Sequence, residues 1–313
     1  MARVAALFPG QGSQAVGMGE DLAQKWPAAS EVFSKIDLGL GFGLSELCWK
    51  GPDEALRLTE NTQPALLAHS LAAWAVLRQR GLEVEAVAGH SLGEYSAVVA
   101  AGGLSVEDAA RTVRLRGRLM QEAVPVGEGA MAAVLGLADD EVVSACREEE
   151  AAGSGPVAAV NFNSPGQVVI AGAATAVAGA GQRCKARGAR RAVPLPVSAP
   201  FHSPLMAPAR EGLEPTLEAL DFQPLEVPLY RNVDAAAVSS PQEVREGLIR
   251  QVDAPVLWSE IIRRMRADGF DSFVEVGTGS VLCGLVRRID REAICIAAGT
   301  VETVEQALAE FVG

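Results

Sequence analysis

Gly89-His90-Ser91-Leu92-Gly93 closes an apolar run, Val84 to Ala88, in which Glu85 is the only charge. An apolar run followed by G-x-S-x-G is the sequence form of a nucleophile elbow: a strand turns sharply into a helix and the serine sits at the apex. Glycines two residues before and after the serine give the turn room to close. The serine Oγ is then exposed at the tip of a sheet, and the N-terminus of the next helix points its free N–H groups at the same spot. Such a serine is built to attack a carbonyl.

The pattern on either side agrees with a sheet of this kind. Val4 to Phe8 is a short apolar run ending in Pro9-Gly10 and predicts a buried strand feeding a loop. Residues 20–36 suit a helix. Residues 63–79 read as an amphipathic helix, with Leu66, Leu67, Leu71, Trp74 and Leu77 at helical spacing and Gly81 ending it. After the elbow come a small-residue helix from Leu92 to Ala101 and a helix over 106–122 that carries Arg111, Arg114, Arg116 and Arg118. This alternation predicts an α/β domain around a parallel sheet.

The texture changes near Val124. Strand (Ala130–Leu137), helix (Asp139–Ala151), strand (Val157–Phe162), strand (Gln167–Ala171), helix (Ala173–Arg187) and strand (Ala189–Leu195) follow in turn, with Asn163-Ser164-Pro165-Gly166 as a turn between the middle strands. The order β-α-β-β-α-β is that of the ferredoxin-like split βαβ arrangement. The expectation is an α/β-hydrolase-like catalytic domain over residues 1–124 and 198–313, interrupted by a ferredoxin-like α+β domain over 125–197. Apolar runs at Ser272–Val276 and Ile294–Ala298 supply the closing strands.

Composition narrows the function classes. The chain has 313 residues, 49% of them hydrophobic, and a formal net charge of −12. That charge argues against non-specific binding to nucleic acid or to an anionic membrane. No run approaches the ~20 apolar residues that a membrane span requires, and the N-terminal apolar stretch is too short for a signal peptide. Cys48, Cys146, Cys184, Cys283 and Cys295 are widely spaced and never in C-x-x-C order. They read as reduced, mostly buried thiols of a cytoplasmic protein, with neither a disulfide framework nor a metal site.

A serine hydroxyl needs a general base, and the chain has three histidines. His90 precedes the serine, so in an extended strand its side chain points to the opposite face, packing under the elbow or bonding a nearby backbone group. His69 lies mid-helix and reads as structural. His202, in Pro196-Val197-Ser198-Ala199-Pro200-Phe201-His202-Ser203-Pro204, is bracketed by prolines that stiffen its backbone. By elimination and context it is the base. The loop Pro9-Gly10-Gln11-Gly12-Ser13-Gln14-Ala15 has two readings. Gly10-x-Gly12-x-x-Ala15 after a strand matches a dinucleotide fingerprint, but the acidic residue ending a second strand about 20 residues on is lacking. The alternative is a loop that offers the Gln11 N–H to an oxyanion, beside the N–H of Leu92. If a substrate carried a carboxylate, one buried arginine should meet it with two parallel hydrogen bonds. Spacing does not choose among Arg111, Arg114, Arg116 and Arg118.

Several motifs in order resemble one family over essentially the whole length: Phe8-Pro9-Gly10-Gln11-Gly12-Ser13-Gln14, Asn61-Thr62-Gln63-Pro64-Ala65, Gly89-His90-Ser91-Leu92-Gly93-Glu94-Tyr95, Arg114-Leu115-Arg116-Gly117-Arg118-Leu119-Met120, Asn163-Ser164-Pro165-Gly166-Gln167, Pro200-Phe201-His202-Ser203 and Glu275-Val276-Gly277. The chain resembles the malonyl-CoA:acyl carrier protein transacylases of bacterial fatty acid synthesis. The resemblance implies ping-pong acyl transfer through a malonyl ester on Ser91, with His202 as base and the Gln11 and Leu92 N–H groups holding the oxyanion. It makes Arg116 the residue that binds the malonyl carboxylate, and Gln63, Phe201 and Asn163 substrate-binding residues. It also implies that the backbone carbonyl of Gln251 orients the histidine in place of a triad acid. Phe201 matches the bulky residue of malonyl-selective members. Gly277-Thr278-Gly279-Ser280 departs from the family pattern and looks peripheral to the chemistry.

The implied partners are malonyl-CoA, as substrate rather than cofactor, and acyl carrier protein. Carriers of this kind are acidic, so docking calls for a local basic patch; Arg183, Lys185, Arg187, Arg190 and Arg191 cluster in the small domain. The remaining expectations are no cofactor, no metal, a monomer, and a free-standing cytoplasmic enzyme. A serine esterase or thioesterase of similar architecture, and a polyketide-associated malonyl transferase, are the alternatives.

Overall fold

The computed structural model describes residues 3–197 and 199–313. It is a mixed α/β structure with two sheets. The larger has six strands: β1 (Val4–Phe8), β2 (Ala86–Gly89), β7 (Leu229–Tyr230), β8 (Ala237–Val238), β9 (Ser272–Val276) and β10 (Ile294–Ala298), in the order β10-β9-β1-β2-β7-β8. All neighbours run parallel except the β7–β8 hairpin at one edge. The smaller sheet holds β3 (Gly129–Leu135), β4 (Val157–Ser164), β5 (Gln167–Ala173) and β6 (Arg191–Pro194), all antiparallel, in the order β4-β5-β3-β6.

β1 and β2 are central neighbours, in register from Ala5 opposite Ala86 to Phe8 opposite Gly89. Their carboxyl ends therefore finish side by side. The loop after β1 and the elbow after β2 are brought together at the carboxyl edge of a parallel sheet, where open α/β sheets bind ligands. The run Val4–Phe8 is buried beyond its first residue because helices cover both faces of the sheet, which is why it reads as continuous apolar sequence and not as alternation.

The smaller sheet shows the opposite pattern. In β3 and β5, Ala132, Val134, Val168 and Ile170 pack against the helices Asp139–Ala151 and Ala174–Ala186. Met131 and Val169, one residue out of phase, turn to the larger core and line the cavity between the sheets. Main-chain bonds fasten the two units: the Phe162 N–H donates to the Val256 carbonyl at 2.9 Å and the Val256 N–H to the Val160 carbonyl at 2.8 Å.

Several elements differ from their sequence readings. The helix expected over 20–36 is two, Glu20–Lys25 and Pro27–Leu40, because Trp26 is extended and Pro27 starts a new first turn. The helix read as amphipathic over 63–79 spans Thr59–Gln79 and is buried on nearly every face, packed between its neighbours Pro27–Leu40 and Val106–Glu122. The dinucleotide reading fails on topology. The chain after β1 runs through helices and returns to the sheet only at Ala86. The cysteines need one correction: Cys283 and Cys295 form a disulfide between the helix Val281–Ile289 and β10, while Cys48, Cys146 and Cys184 are free and buried. The two residues are distant in pattern, but the turn from helix into edge strand brings their Cα atoms to 5.1 Å, within bonding range.

Candidate active site

The elbow exists because two glycines permit backbone contacts that no side chain would. A Cβ on Gly89 would sit 1.9 Å from the carbonyl carbon of Gly93, and one on Gly93 would sit 2.0 Å from the Phe8 carbonyl oxygen. The turn is thus pressed against itself and against the end of β1. Ser91 pays for the geometry with a left-handed φ of 51°, a conformation that an ordinary residue holds only when its surroundings over-determine it. Those surroundings are specific. The Ser91 N–H donates to Asn232 Oδ1 at 2.7 Å, and Asn232 Nδ2 donates to the Gly89 carbonyl at 2.6 Å, so one asparagine clamps both sides of the apex.

Ser91 Oγ lies 2.7 Å from His202 Nε2, and His202 Nδ1 lies 2.9 Å from the Gln251 carbonyl oxygen. The carbonyl can only accept, so Nδ1 carries the proton and Nε2 presents its lone pair to the serine. His202 also has a left-handed φ, 63°, in its proline-bounded loop. Burial pushes its ring down to about 3, and the nearby Arg116 guanidinium adds to that, so the imidazole is neutral at ordinary pH.

Of the four helix arginines, only Arg116 turns inward; its side chain is 1% exposed. It donates to Gln63 Oε1 and Gln251 Oε1, both at 2.8 Å, and to Ser91 Oγ at 3.1 Å. Its buried Nε has no partner among the described residues. Arg111 pairs with Asp108, and Arg114 stacks over Phe42. The neighbouring Gly117 lets this helix close on Thr59–Gln79, since a Cβ there would meet the Thr59 carbonyl oxygen at 2.5 Å.

These groups face a cavity of about 730 Å³ between the two sheets. Gln11, Leu92, Asn163 and Phe201 line it, as do Gln63, Arg116 and His202. Among the described residues, neither the Gln11 nor the Leu92 N–H has a main-chain acceptor outside regular elements. Thr278 Oγ1 donates to the Ser13 carbonyl at 3.2 Å, so the segment read as peripheral braces the loop that carries Gln11.

His90 is placed differently from its sequence reading. The elbow ends the extended strand one residue early, and the ring enters the cavity lining, with Nε2 2.8 Å from Asn163 Oδ1. Asn163 Oδ1 is therefore already partnered. The basic cluster of the small unit is also partly committed: Arg183 pairs with Glu148 and Glu149, and Arg187 with Glu141 and Glu148. Lys185, Arg190 and Arg191 remain outside these pairs, and none of the five lines the cavity.

Two residues of the site, Asn232 and Glu94, carry no assignment from sequence, and a third, His90, sits away from its sequence reading. Asn232 is 141 positions from the serine it clamps. His90 links the elbow to the smaller sheet. Glu94 is fully buried one turn beyond Ser91; its Oε2 accepts from Gln251 Nε2 at 2.8 Å and from the Asn232 N–H at 3.1 Å. Only its place in the elbow's first helical turn distinguishes it in the chain.

Residues 6–307 match the family model of the acyl transferase domain. The chain is 46% identical over 308 residues to the malonyl CoA-acyl carrier protein transacylase of Bacillus subtilis, covering 98% of this chain and 97% of that one. It is 49% identical over 290 residues to the Escherichia coli K12 protein of the same name, covering 92% and 93%. A crystal structure of an acyl carrier protein S-malonyltransferase from Vibrio cholerae superposes with a TM-score of 0.95 at 46% identity, covering 98% of this chain and 100% of that one. A malonyl-transacylase in complex with its type II PKS acyl-carrier protein gives 0.96 at 44% identity, covering 99% and 100%. The chain thus belongs to the acyl transferase family, among the malonyl CoA-acyl carrier protein transacylases.

Proposed function

We propose that this protein transfers a malonyl group from malonyl-CoA to the phosphopantetheine thiol of acyl carrier protein, through a malonyl ester on Ser91. His202 Nε2 takes the Ser91 hydroxyl proton as Oγ attacks the thioester carbonyl. The N–H groups of Leu92 and Gln11 receive the oxyanion. The C–S bond breaks, and CoA leaves as the thiol with the proton held on His202. In the second half the phosphopantetheine thiol enters, gives its proton to His202 and attacks the ester. Ser91 Oγ recovers that proton as it departs. His202 carries every proton, so the scheme needs no metal or cofactor. The Gln251 carbonyl keeps the imidazole in the tautomer and orientation that a triad acid would otherwise fix.

The observation that carries this reading is Arg116: a guanidinium, 1% exposed, 3.1 Å from Ser91 Oγ, with no carboxylate bonded to it among the described residues. An esterase for neutral esters has no use for it, whereas a malonyl group brings the missing anion. Phe201 beside the base crowds an α-methyl branch, a discrimination worth about 1–3 kcal/mol. Intact mass after incubation with malonyl-CoA tests the reading. A malonyl adduct on the wild type that is absent in Ser91→Ala is expected; an adduct persisting in that variant, or none on the wild type, refutes it.

On this reading the larger sheet is an α/β-hydrolase-like catalytic unit, residues 1–124 and 198–313. The unit over 125–197 is ferredoxin-like, in keeping with the strand order β4-β5-β3-β6. The enzyme would work as a cytoplasmic monomer. The carrier would dock over Lys185, Arg190 and Arg191, with Arg183 and Arg187 shaping that face through their ion pairs. The match to a transacylase bound to a type II PKS carrier favours a second reading in which a polyketide carrier is the acceptor. Michaelis constants for the two kinds of carrier decide between them.

A further inference from the structure

Glu94 belongs to none of the steps above, yet among the described residues it is the carboxylate bonded to Gln251 and Asn232, which hold the site together. It has no exposure to solvent. Its Oε2 accepts from Gln251 Nε2 and from the Asn232 N–H, and its Oε1 has no partner among the described residues. The charged and titratable groups around it are Arg116 from the helix Val106–Glu122, Arg231 beside β7 and Tyr95 next to it on its own helix; Arg231 is in turn paired with Asp234 at 2.6 Å.

We propose that Glu94 is a positioning residue for malonyl recognition, acting by fixing which way the Gln251 carboxamide faces. An ionised carboxylate can only accept, so it obliges Gln251 to turn its NH₂ group inward. Nε2 then also reaches the Ser91 carbonyl at 2.8 Å, and Oε1 is left facing Arg116, whose guanidinium it holds at 2.8 Å. Turned the other way, the amide would set NH₂ against the guanidinium, donor against donor, and Arg116 would lose one of its two amide anchors. A carboxyl group that carries a proton, or an amide in its place, can donate and so permits that turn. The inference rests on Arg116 binding the malonyl carboxylate as proposed above.

Burial pushes the Glu94 carboxyl up to about 7, so its ionisation falls where the enzyme can be assayed. Burial moves His202 and His90 down, so neither ring accounts for an inflection there. The charge of Glu94 has an effect of the opposite sign: an anion near Arg116 weakens its hold on a second anion. The direction of the pH dependence separates the two.

The experiment compares kcat/KM for malonyl-CoA with that for acetyl-CoA, in wild type and Glu94→Gln, from pH 8 to pH 6, with thermal unfolding as the check on folding. The malonyl-to-acetyl ratio should fall at least tenfold in the variant. In the wild type it should fall about tenfold on acidification, as the ionised fraction drops through a midpoint of about 7. A ratio unchanged in Glu94→Gln overturns the proposal, since a general loss of structure lowers both substrates alike. A wild-type ratio that stays flat or rises on acidification also overturns it, and this series decides the matter if the variant does not fold. Malonyl-adduct formation by the wild type is the control that keeps failure of this inference distinct from failure of the reading beneath it.

Discussion

Arg116→Ala removes the buried guanidinium beside Ser91, and the size of its effect can be worked out. The guanidinium is 1% exposed, so a carboxylate reaching it is desolvated, and the 0–1 kcal/mol of an exposed ion pair does not apply. Leaving a buried charge without its partner costs about 3–5 kcal/mol. Against this, Arg116 already makes three hydrogen bonds, to Gln63, Gln251 and Ser91, and must loosen some of them to receive the malonyl group. Its Nε, with no partner among the described residues, can be taken without exchange. The lower end, about 3 kcal/mol, is therefore the expected loss, roughly 150-fold in kcat/KM for malonyl-CoA at 1.36 kcal/mol per decade. Acetyl-CoA carries no carboxylate and should fall by less than about tenfold. The substitution also strands two buried amide oxygens, each costing about 1–3 kcal/mol of stability, so thermal unfolding must show that the variant is folded at the assay temperature. CoA release followed with both thioesters gives the comparison. Equal losses for the two would mean that Arg116 merely supports Ser91, and an unchanged malonyl rate would remove it from recognition altogether.

Further outcomes follow from the same geometry. Gly93→Ala places a methyl 2.0 Å from the Phe8 carbonyl oxygen, which cannot retreat without moving β1, so it should cost about 3 kcal/mol or more and abolish acylation of Ser91; a variant that keeps its melting temperature and its adduct would show that the elbow tolerates a side chain. His202 is held neutral in the folded state, down at about 3 from its ordinary 6.5, so protons bind the unfolded chain first. Its contribution to stability is complete above about pH 6.5 and is lost as pH falls from there towards 3; His202→Gln should flatten melting temperature against pH in that window, and an unaltered slope would assign the acid lability to other groups. Charge reversal at Arg190 and Arg191 should raise the Michaelis constant for the carrier severalfold and spare that for malonyl-CoA, whereas equal effects on both would place the docking surface elsewhere.

The elbow was legible because its requirements are local. Gly89 and Gly93 make their close contacts within five residues and against the adjoining strand end, so spacing alone marks the turn. The six strands and helices of the smaller unit were legible for a similar reason. Its sheet has one face on its own helices, and the alternation of Ala132 and Val134 against Met131 marks it. The Thr59–Gln79 helix misled because a helix buried on nearly every face carries no stripe from which to judge its orientation. The disulfide between Cys283 and Cys295 was invisible because only the turn from the helix Val281–Ile289 into β10 makes the two cysteines neighbours.

The sequence by itself singled out Ser91, His202 and the strand-turn-helix that presents the serine, since glycine spacing, proline bracketing and apolar runs act through short-range sterics. Only the tertiary structure decided which of four arginines is buried, because all four lie on one helix and the choice depends on what packs against each face. It also decided that Asn232 clamps the apex, that Gln251 bridges Arg116 and Glu94, and that His90 turns to Asn163. Those contacts join positions 73 to 157 residues apart, and hydrogen-bonding groups so distant leave no periodicity in the chain to betray them.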